Sequence, residues 1–599
     1  RINGVALPEG VSIFGQSLSP RFASSIELIT GALPAQYGLR TAGVINITTK
    51  SGFNTGGEVS IYGGSHGLVT PSFEYGASSG ATNLFVSGSF LRSDVGIESP
   101  DGSATPLHDR TDQIQGFAYL DHILSDNSRV SLIAGTSNQR FQIPNVRGLD
   151  AAVDGPGYTV DGETHFASEA LDQTQRETTD YVIASYLYSA QKLTLELSAF
   201  ARYSSLTYRP DILGELLFNG ITQYAAKRDT AGGIQAEGVY DLTDRHTLRA
   251  GVIVQVDRAT NKTRSQVLPV DDEGIQTSDQ PITILDDSGR NAQTYSLYLQ
   301  DEWKLAESLT LNYGLRFDQV NALRKENQLS PRVNLTWVPA DGTTFHAGYA
   351  RYFTPPPFEL VASQTIDKFV GTSAAPPNLQ NDAPFAERSN YYDIGAERRL
   401  GRLTLGVDGY WRTSRNLLDE GQFGAPIILT PFNYRDGRVK GIEFSATYAS
   451  GPFSAYGNFA ISKAQGRDIV SSQFNFDPAE LAYIADHFIY LDHSQTYTAS
   501  AGASYRWDKF RLSGDLIYGS GLRADGAVPN GGHVPGYVQF NLASVYTLDL
   551  GAAGPLDLRF DIVNLFDEQY LIRDGSGVGV GAPQWGPRRG FFVGLSKSF

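Results

Sequence analysis

The chain has 599 residues, of which 19% are charged and 41% hydrophobic, with a formal net charge of −16 and neither Cys nor Met. An acidic balance argues against a nucleic-acid partner, which needs a basic face, and the absence of Cys removes disulfides, thiolate zinc centres and cysteine nucleophiles. No run reaches 18 apolar residues, so no transmembrane helix is written in the sequence; a transmembrane β-barrel, whose strands alternate lipid-facing and lumen-facing residues, stays open.

Residues 1–52 stand apart from the rest. They carry a turn signal at Asn3-Gly4, a Gly/Pro-rich loop from Leu7 to Gln16 (LPEGVSIFGQ), and a short helix expected around Pro20 to Ser25. A strand Ile26 to Thr30, a second Gly/Pro loop and a strand Val44 to Thr49 follow. This small α/β piece is too short to bury a core by itself. It has to pack against something larger.

From about Gly56 to Phe599 the pattern is short alternating segments rich in aromatic and β-branched residues, which favour strands. The C-terminal end shows it most cleanly. Ser494 to Trp507 alternates, turns tightly at Asp508-Lys509, and resumes from Phe510 to Ser520. A long Gly/Pro loop leads to Tyr537–Leu550, a short turn at Gly551–Gly554, a segment LDLRFDIVNLFDEQYLI, another long loop and RRGFFVGLSKSF. Strands of about ten residues cross a bilayer at a tilt.

Short and long connections alternate throughout. Short turns recur at Ser79-Gly80, Ser125–Ser128, Ala190-Gln191, Thr243–Arg245, Ala306–Ser308, Ala340–Gly342, Leu400–Arg402 and Ser450–Pro452. The longest loops are Phe141 to Gln175, Asn261 to Arg290, Thr354 to Ala386 and Gln465 to His493. Outer-membrane barrels have short periplasmic turns and long extracellular loops. About ten such turns, with both ends periplasmic, give about 22 strands. A barrel that wide cannot be filled by its own side chains and is expected to hold a plug. The expected fold is therefore all-β, a 22-stranded antiparallel transmembrane β-barrel (residues 53–599) with a small α/β plug segment (residues 1–52) in its lumen.

Catalytic signatures are lacking: there is no G-x-S-x-G and no H-E-x-x-H. Nine His are scattered, with examples such as His122 and His246 near strand ends or turns. One cluster is denser, Asp486-His487 with Asp492-His493. His with carboxylate can hold a transition metal; the plainer reading is a polar strand entry whose Asp side chains cap local backbone. The acidic stretch Asp271 to Asp287 offers oxygen ligands for calcium but lacks the D-x-D-x-D-G spacing, which favours a solvated face.

The plug segment then becomes specific. SSIELITGALPAQYGLRTAGVINITTKSG resembles the end of the plug in TonB-dependent receptors, through Glu27, Gly31, Tyr37, Gly38, Gly43, Val44, Ile45 and Asn46. Asn3-Gly4-Val5 resembles the turn before that family's apical plug loop. Ser330 to Pro357 resembles its mid-barrel hairpin, Asp561 to Tyr570 its penultimate strand, and Phe599 the aromatic end that outer-membrane proteins present to the insertion machinery. The family's full plug is longer, and the short box that pairs with TonB is expected upstream of Arg1.

The resemblance implies an active transporter of the bacterial outer membrane. Its partners would be TonB, the lipid bilayer with lipopolysaccharide, and a small-molecule or metal-chelate substrate; it would need no cofactor and break no bond. A ferric siderophore is the first expectation for cargo, with cobalamin, haem, copper, carbohydrate or peptide as alternatives, and a passive porin or adhesin as the reading from another class. In the family the apical loop points into the vestibule. That makes Glu9, Ser12, Phe14 and Gln16 the substrate-contact candidates, against the alternative that this loop packs on the barrel wall.

Overall fold

Along the strand Leu309–Asn321 the side chains alternate between opposite surroundings. Leu315 and Phe317 are 50% and 38% exposed, while Arg316 and Asp318 are each 1% exposed. A globular protein in water would do the reverse. Apolar side chains outside and charged ones inside is the arrangement a barrel adopts when its outer solvent is hydrocarbon. The computed structural model describes all residues except 16, 41–42, 54, 359–365, 377–381, 423–428, 576–577 and 580–581.

The alternating segments close into a 22-stranded antiparallel barrel. The last strand, Gly590–Ser598, pairs with the first, Gly56–Gly64, with Leu595 opposite Ile61. Among the described residues every spanning strand has a neighbour on both sides, which is how a barrel pairs its backbone in an apolar layer. The terminal Phe599 exchanges backbone hydrogen bonds with Gly57, and its ring stacks 6.4 Å from Tyr75. A two-residue strand, Ile489–Tyr490, adds to the outer end of Phe453–Ile469 without spanning. All the short turns expected from the sequence are the hairpins of one barrel end. Among the described residues no helix is long and apolar enough to cross a membrane.

Three local expectations change. Strands reach well beyond the bilayer: Ile282–Ala306 has 25 residues and pairs with His246–Val267 from Ile282 through Trp303. The loop expected over Asn261 to Arg290 therefore shrinks to 268–281. The strand expected to run to Tyr570 ends at Val563. There Asn564 takes a positive φ of 51°, and its side-chain amide donates to the Glu568 and Pro587 carbonyls, which turns the chain out of the sheet. The helix expected around Pro20 to Ser25 is a single 3-10 turn, Pro20–Phe22. Its continuation, Ser24-Ser25, is extended instead, with Ser25 opposite Thr48.

The plug segment is built on two antiparallel strands, β1 (Ala23–Ile29) and β2 (Val44–Thr49), with Glu27 opposite Asn46. One set of its apolar side chains buries against the lumen wall, while Ile26, Leu28 and Ile45 stay exposed. Ile2, Val5, Phe22 and Ile47 join Phe85, Phe117, Tyr119, Ile133, Tyr181, Ile183 and Phe200 in one cluster. The Phe22 and Phe117 rings stack at 4.1 Å. Fully burying side chains of this kind contributes about 1.5–3 kcal/mol each, so hydrophobic contact holds the segment to one side of the lumen.

Candidate functional site

Two loops of the plug segment reach up the lumen, and the wall fastens both through their backbones. The first is the loop that holds Glu9, Ser12 and Phe14. The Val11 N–H donates to Ser204 Oγ at 3.1 Å. The Ile13, Phe14 and Gly15 N–H groups all donate to the Glu177 carboxylate, each at 3.0 Å. Three successive N–H groups converging on one carboxylate form a small anion-binding nest. Here the anion is a side chain of the wall.

The second loop runs from Gly31 to Tyr37. Tyr352 Oη donates to the Gly31 carbonyl at 2.6 Å and accepts from the Leu33 N–H at 2.8 Å. Asp393 Oδ2 accepts from the Ala32 N–H at 2.7 Å, and an Arg332 guanidinium nitrogen donates to the Leu33 carbonyl at 2.9 Å. Gln300 Oε1 accepts from the Gln36 N–H at 3.0 Å. Arg316, buried and paired with Asp318 at 2.8 Å, lies directly against Gly38. A Cβ at Gly38 would sit 1.9 Å from Arg316 Nε, so the close approach of backbone to guanidinium requires glycine there.

These contacts decide where the four substrate-contact candidates stand. Ser12 Oγ hydrogen-bonds Thr179 Oγ1 at 3.0 Å, and the Phe14 ring meets Phe141 edge-on at 5.6 Å. Both are turned to the wall. Glu9 is 62% exposed in its side chain and pairs with Arg40 at 2.7 Å across the two loops. Gln16 lies outside the described residues. Glu9, Arg40 and Tyr37 line a cavity of about 410 Å³ whose wall side includes Gln255, Asp257 and Arg316.

The His/Asp cluster divides. His487 turns back onto its own helix, Pro478–Asp486, stacking on Tyr483 at 4.3 Å with Nδ1 3.0 Å from the Tyr483 carbonyl. Asp486 and His487 thus stand apart from their expected partners. Asp492 and His493 hydrogen-bond each other and meet Asp419, which the sequence reading did not pick out. One ligand atom from each of these three lies within 4.8 Å of the others, and this is the only such group among the described residues. Asp419 comes near the outer end of Leu403–Gln422, far past the apolar band. Burial pushes its carboxyl up to about 7, with the charge of Asp492 adding to the shift. The neighbouring Glu420 carboxyl is also raised, by its enclosure first; Glu9 and Asp492 repel its charge and His493 attracts it. Arg573 is 3.5 Å from Asp492 and balances part of the negative charge.

The acidic stretch from Asp271 to Asp287 gathers no such group. Asp271 caps its own turn, accepting from the Glu273 and Ile275 N–H groups at 3.1 and 2.8 Å, and Asp287 pairs with Lys262 at 2.8 Å. His122 and His246 hydrogen-bond Thr82 and Asp301 near the periplasmic turns.

With this geometry in place, known proteins supply a comparison. The family described as TonB dependent receptor-like, beta-barrel matches residues 53–565. The copper transporter OprC superposes with a TM-score of 0.73 at 16% identity, covering 100% of this chain and 90% of that one. The ferric yersiniabactin uptake receptor FyuA of Yersinia pestis gives 0.71 at 15%, over 96% and 85% of the two chains. The ferric citrate transporter FecA gives 0.71 at 16%, over 100% and 87%. At these identities the likeness is one of fold. Heme/hemopexin utilization protein C of Haemophilus influenzae (strain 86-028NP) is 21% identical over 306 residues, 47% of this chain; the chain spans 40% of that relative's length.

Proposed function

Because this chain belongs to the TonB-dependent receptor family, a family of the bacterial outer membrane, we propose that it imports a scarce, metal-containing small ligand, a ferric siderophore first among them. The observation that carries this reading is the double fastening of the plug segment. Glu177 holds the first loop, while Tyr352, Asp393 and Arg332 hold the second. Hydrogen bonds to charged groups contribute about 1.5–3 kcal/mol each. Several of them together make spontaneous opening rare. Passage then needs work delivered to the plug, which is the part TonB plays. The cargo crosses without covalent change.

A second reading is favoured by one specific feature. Asp419, Asp492 and His493 present two carboxylate oxygens and an imidazole nitrogen to one point. Mixed nitrogen and oxygen donors suit a divalent transition metal. On this reading the cargo is a bare or weakly chelated metal ion.

Uptake of radiolabelled iron separates the two. Cells carrying this protein as their sole receptor, with and without TonB, are given either a panel of ferric siderophores or labelled copper and zinc salts. TonB-dependent uptake of an intact chelate supports the first reading, and of the free ion the second. Uptake unaffected by removing TonB, or a large steady conductance of the protein in planar bilayers, would overturn both.

A further inference from the structure

The strand Ile282–Ala306 outruns one of its two neighbours. On one side it pairs with His246–Val267 from Ile282 onward. On the other side its pairing with Leu309–Asn321 starts only at Gln293, opposite Asn321. Among the described residues no strand pairs with that second flank over 282–292. Alternate residues of an antiparallel strand turn both of their backbone groups to the same side. The Leu285 carbonyl accepts from Lys368 Nζ at 3.3 Å, which puts it on the open side. Thr283, Leu285, Asp287, Gly289 and Asn291 then present their N–H and C=O groups along the open flank.

This flank stands outside the membrane. Leu299, Leu297 and Tyr295 are 58%, 59% and 40% exposed on the outward face, and Tyr295 closes the apolar band as part of its aromatic girdle. With a rise of about 3.3 Å per residue and a tilt of about 40°, residues 291 to 283 lie roughly 10–30 Å above Tyr295. Headgroups reach only about 5–8 Å beyond the hydrocarbon on each side. The open flank is therefore in water, where its backbone groups bond to solvent and can exchange it for a partner strand.

Long open edges invite pairing, and proteins blunt them with lysine, proline, bulges or covering elements. The stretch 282–292 (ITILDDSGRNA) has neither lysine nor proline, and it pairs with His246–Val267 without a bulge. Its single cation, Arg290, shares the lumen face of buried Ala292. Lys368 guards one carbonyl. Apolar side chains stand open on the strand and on the loops beside it, with Leu285, Ile275 and Val370 at 62%, 64% and 56% exposed. The surrounding charge is negative. Asp287 lies on the strand, and Asp271, Asp272, Glu273 and Asp279 lie on the loop that leads into it.

A second copy of this chain does not fit. The open flank faces the space over the hairpin Leu309–Asn321 and Lys325–Ala340 of the same barrel, and a barrel standing beside this one cannot bring its own wall there. The occupant has to arrive from the medium as a free chain segment. We infer that this flank is a strand-addition site for an extended, basic segment of an extracellular polypeptide. The added strand exchanges backbone hydrogen bonds with Thr283, Leu285, Asp287, Gly289 and Asn291. It lays an apolar side chain beside Leu285 and brings Lys or Arg side chains to Asp287 and the acidic loop. In this mode the backbone bonds supply affinity and the alternate side chains supply specificity, while charge complementarity selects a basic partner.

The test uses the full-length protein in detergent, with hydrogen exchange read by mass spectrometry and peptide affinity read by fluorescence anisotropy. The probes are a peptide of about ten residues that alternates Lys with Val and Thr, its counterpart with Glu for Lys, and the Lys peptide N-methylated at alternate amides, which cannot pair. In the free protein about half the amides of 283–292 are expected to exchange fast, while 250–260, paired on both sides, stays protected. Saturable binding of the Lys peptide should slow those fast amides. The Glu and N-methylated peptides should bind at least about tenfold more weakly. Leu285→Pro removes an N–H of the open flank, a place where an edge strand tolerates proline, and should weaken binding of the Lys peptide by at least about tenfold. Leu285→Lys keeps the backbone intact and adds the charge that guards natural edges, and should weaken it as well. The shift in gel mobility on heating reports that each barrel is folded. Slow exchange throughout 283–292 in the free protein, no saturable binding of the Lys peptide, equal binding of the Glu or N-methylated peptide, or unchanged binding by either folded variant would each overturn the site. None of these outcomes depends on which cargo the protein carries.

Discussion

Tyr352 on the barrel wall donates its phenolic hydrogen to the Gly31 carbonyl of the plug segment at 2.6 Å. The same oxygen accepts from the Leu33 N–H, so one hydroxyl satisfies both a carbonyl and an amide of a loop buried in the lumen. Tyr352→Phe leaves the ring in place and removes both bonds. An unsatisfied buried partner costs about 1–3 kcal/mol. Hydrogen exchange at residues 31–37 is expected to accelerate by about tenfold to a hundredfold, while exchange in the barrel strands stays as in the wild type. Unchanged protection of the loop would show that Asp393 and Arg332 suffice to hold it.

Glu177 anchors the other loop by a different means. Its carboxylate takes three N–H groups at once, so its charge matters as much as its oxygens. Glu177→Gln keeps the shape and one acceptor. Residues 11–15 are expected to lose protection, and the protein in planar bilayers should show brief conductance bursts that the wild type lacks. A silent Glu177→Gln barrel would mean that the loop is held by its apolar contacts, chiefly buried Val11 against Leu206 and Tyr208.

Gly38 tests why the Tyr-Gly pair of the plug motif is written as it is. A methyl group there collides with the guanidinium of Arg316, and Arg316 cannot retreat without breaking its buried pair with Asp318. Overpacking of this kind costs about 1–3 kcal/mol. Gly38→Ala is expected to lower thermal stability of the plug contacts, and Arg316→Ala should restore part of the loss in the double variant. Additive effects of the two changes would remove the steric explanation.

Much of the fold was legible because the barrel repeats one grammar. A side-chain period of two and alternating loop lengths identify a strand count and two chemically different ends, whatever the family. The turn residues Asp508-Lys509 or Ala340–Gly342 mark hairpins by local chemistry alone. Strand ends on the long-loop side were harder. There the strands have left the bilayer, so Ala259 to Val267 and Ile282 to Arg290 pair with each other without the apolar alternation that betrays a strand. The site was the least legible part. Glu9 could be picked from the loop that holds it, but its partner Arg40 is 31 positions away along the chain, and Asp419-Glu420, whose Asp meets Asp492 and His493, reads as an ordinary polar strand end. The anchor Glu177 alternates with lipid-facing and polar residues like any other. Only closure of the barrel brings these side chains to one place.

A corner of the extracellular loops should respond to pH. Glu98 accepts from the Val578 N–H at 2.9 Å and so ties the loop 94–110 to the loop 564–589. Behind it, Asp109 accepts from the Ile97 N–H at 2.7 Å while its second oxygen is buried without a partner. Burial pushes the Glu98 carboxyl up to about 7 and the Asp109 carboxyl up to about 8. The folded corner thus holds protons that the opened one releases. Its stability is full below the ordinary carboxylate range near pH 4 and falls as pH rises towards about 8. Limited proteolysis within 94–110 is expected to speed up between pH 6 and pH 9, normalised to a pH-independent substrate. Asp109→Asn keeps the acceptor for Ile97 and should flatten most of that slope. A wild-type rate constant across this range would show that both carboxyls titrate normally.

The vestibule variants bear on the cargo. Asp419, Asp492 and His493 converge, and the two readings of function make them do different work. A metal ion bound directly would use them as ligands, so His493→Ala should abolish saturable binding of copper or zinc by the purified protein, and Asp419→Asn should weaken it by about tenfold or more. A ferric chelate arrives with its iron already coordinated, and only the outer shape and charge of the complex meet the protein. Arg40→Ala, which frees Glu9, should then change chelate affinity through charge, in the direction of tighter binding for cationic complexes and weaker binding for anionic ones. Lowering the pH from 8 to 6 separates them further. Asp419, pushed up to about 7, gains a proton over that range and is lost as a metal ligand, so ion binding falls steeply while chelate binding follows only the change in net charge. Calorimetric titration of both ligand types at the two pH values reads the difference. Saturable ion binding that survives His493→Ala would remove this metal-ion reading and leave the chelate.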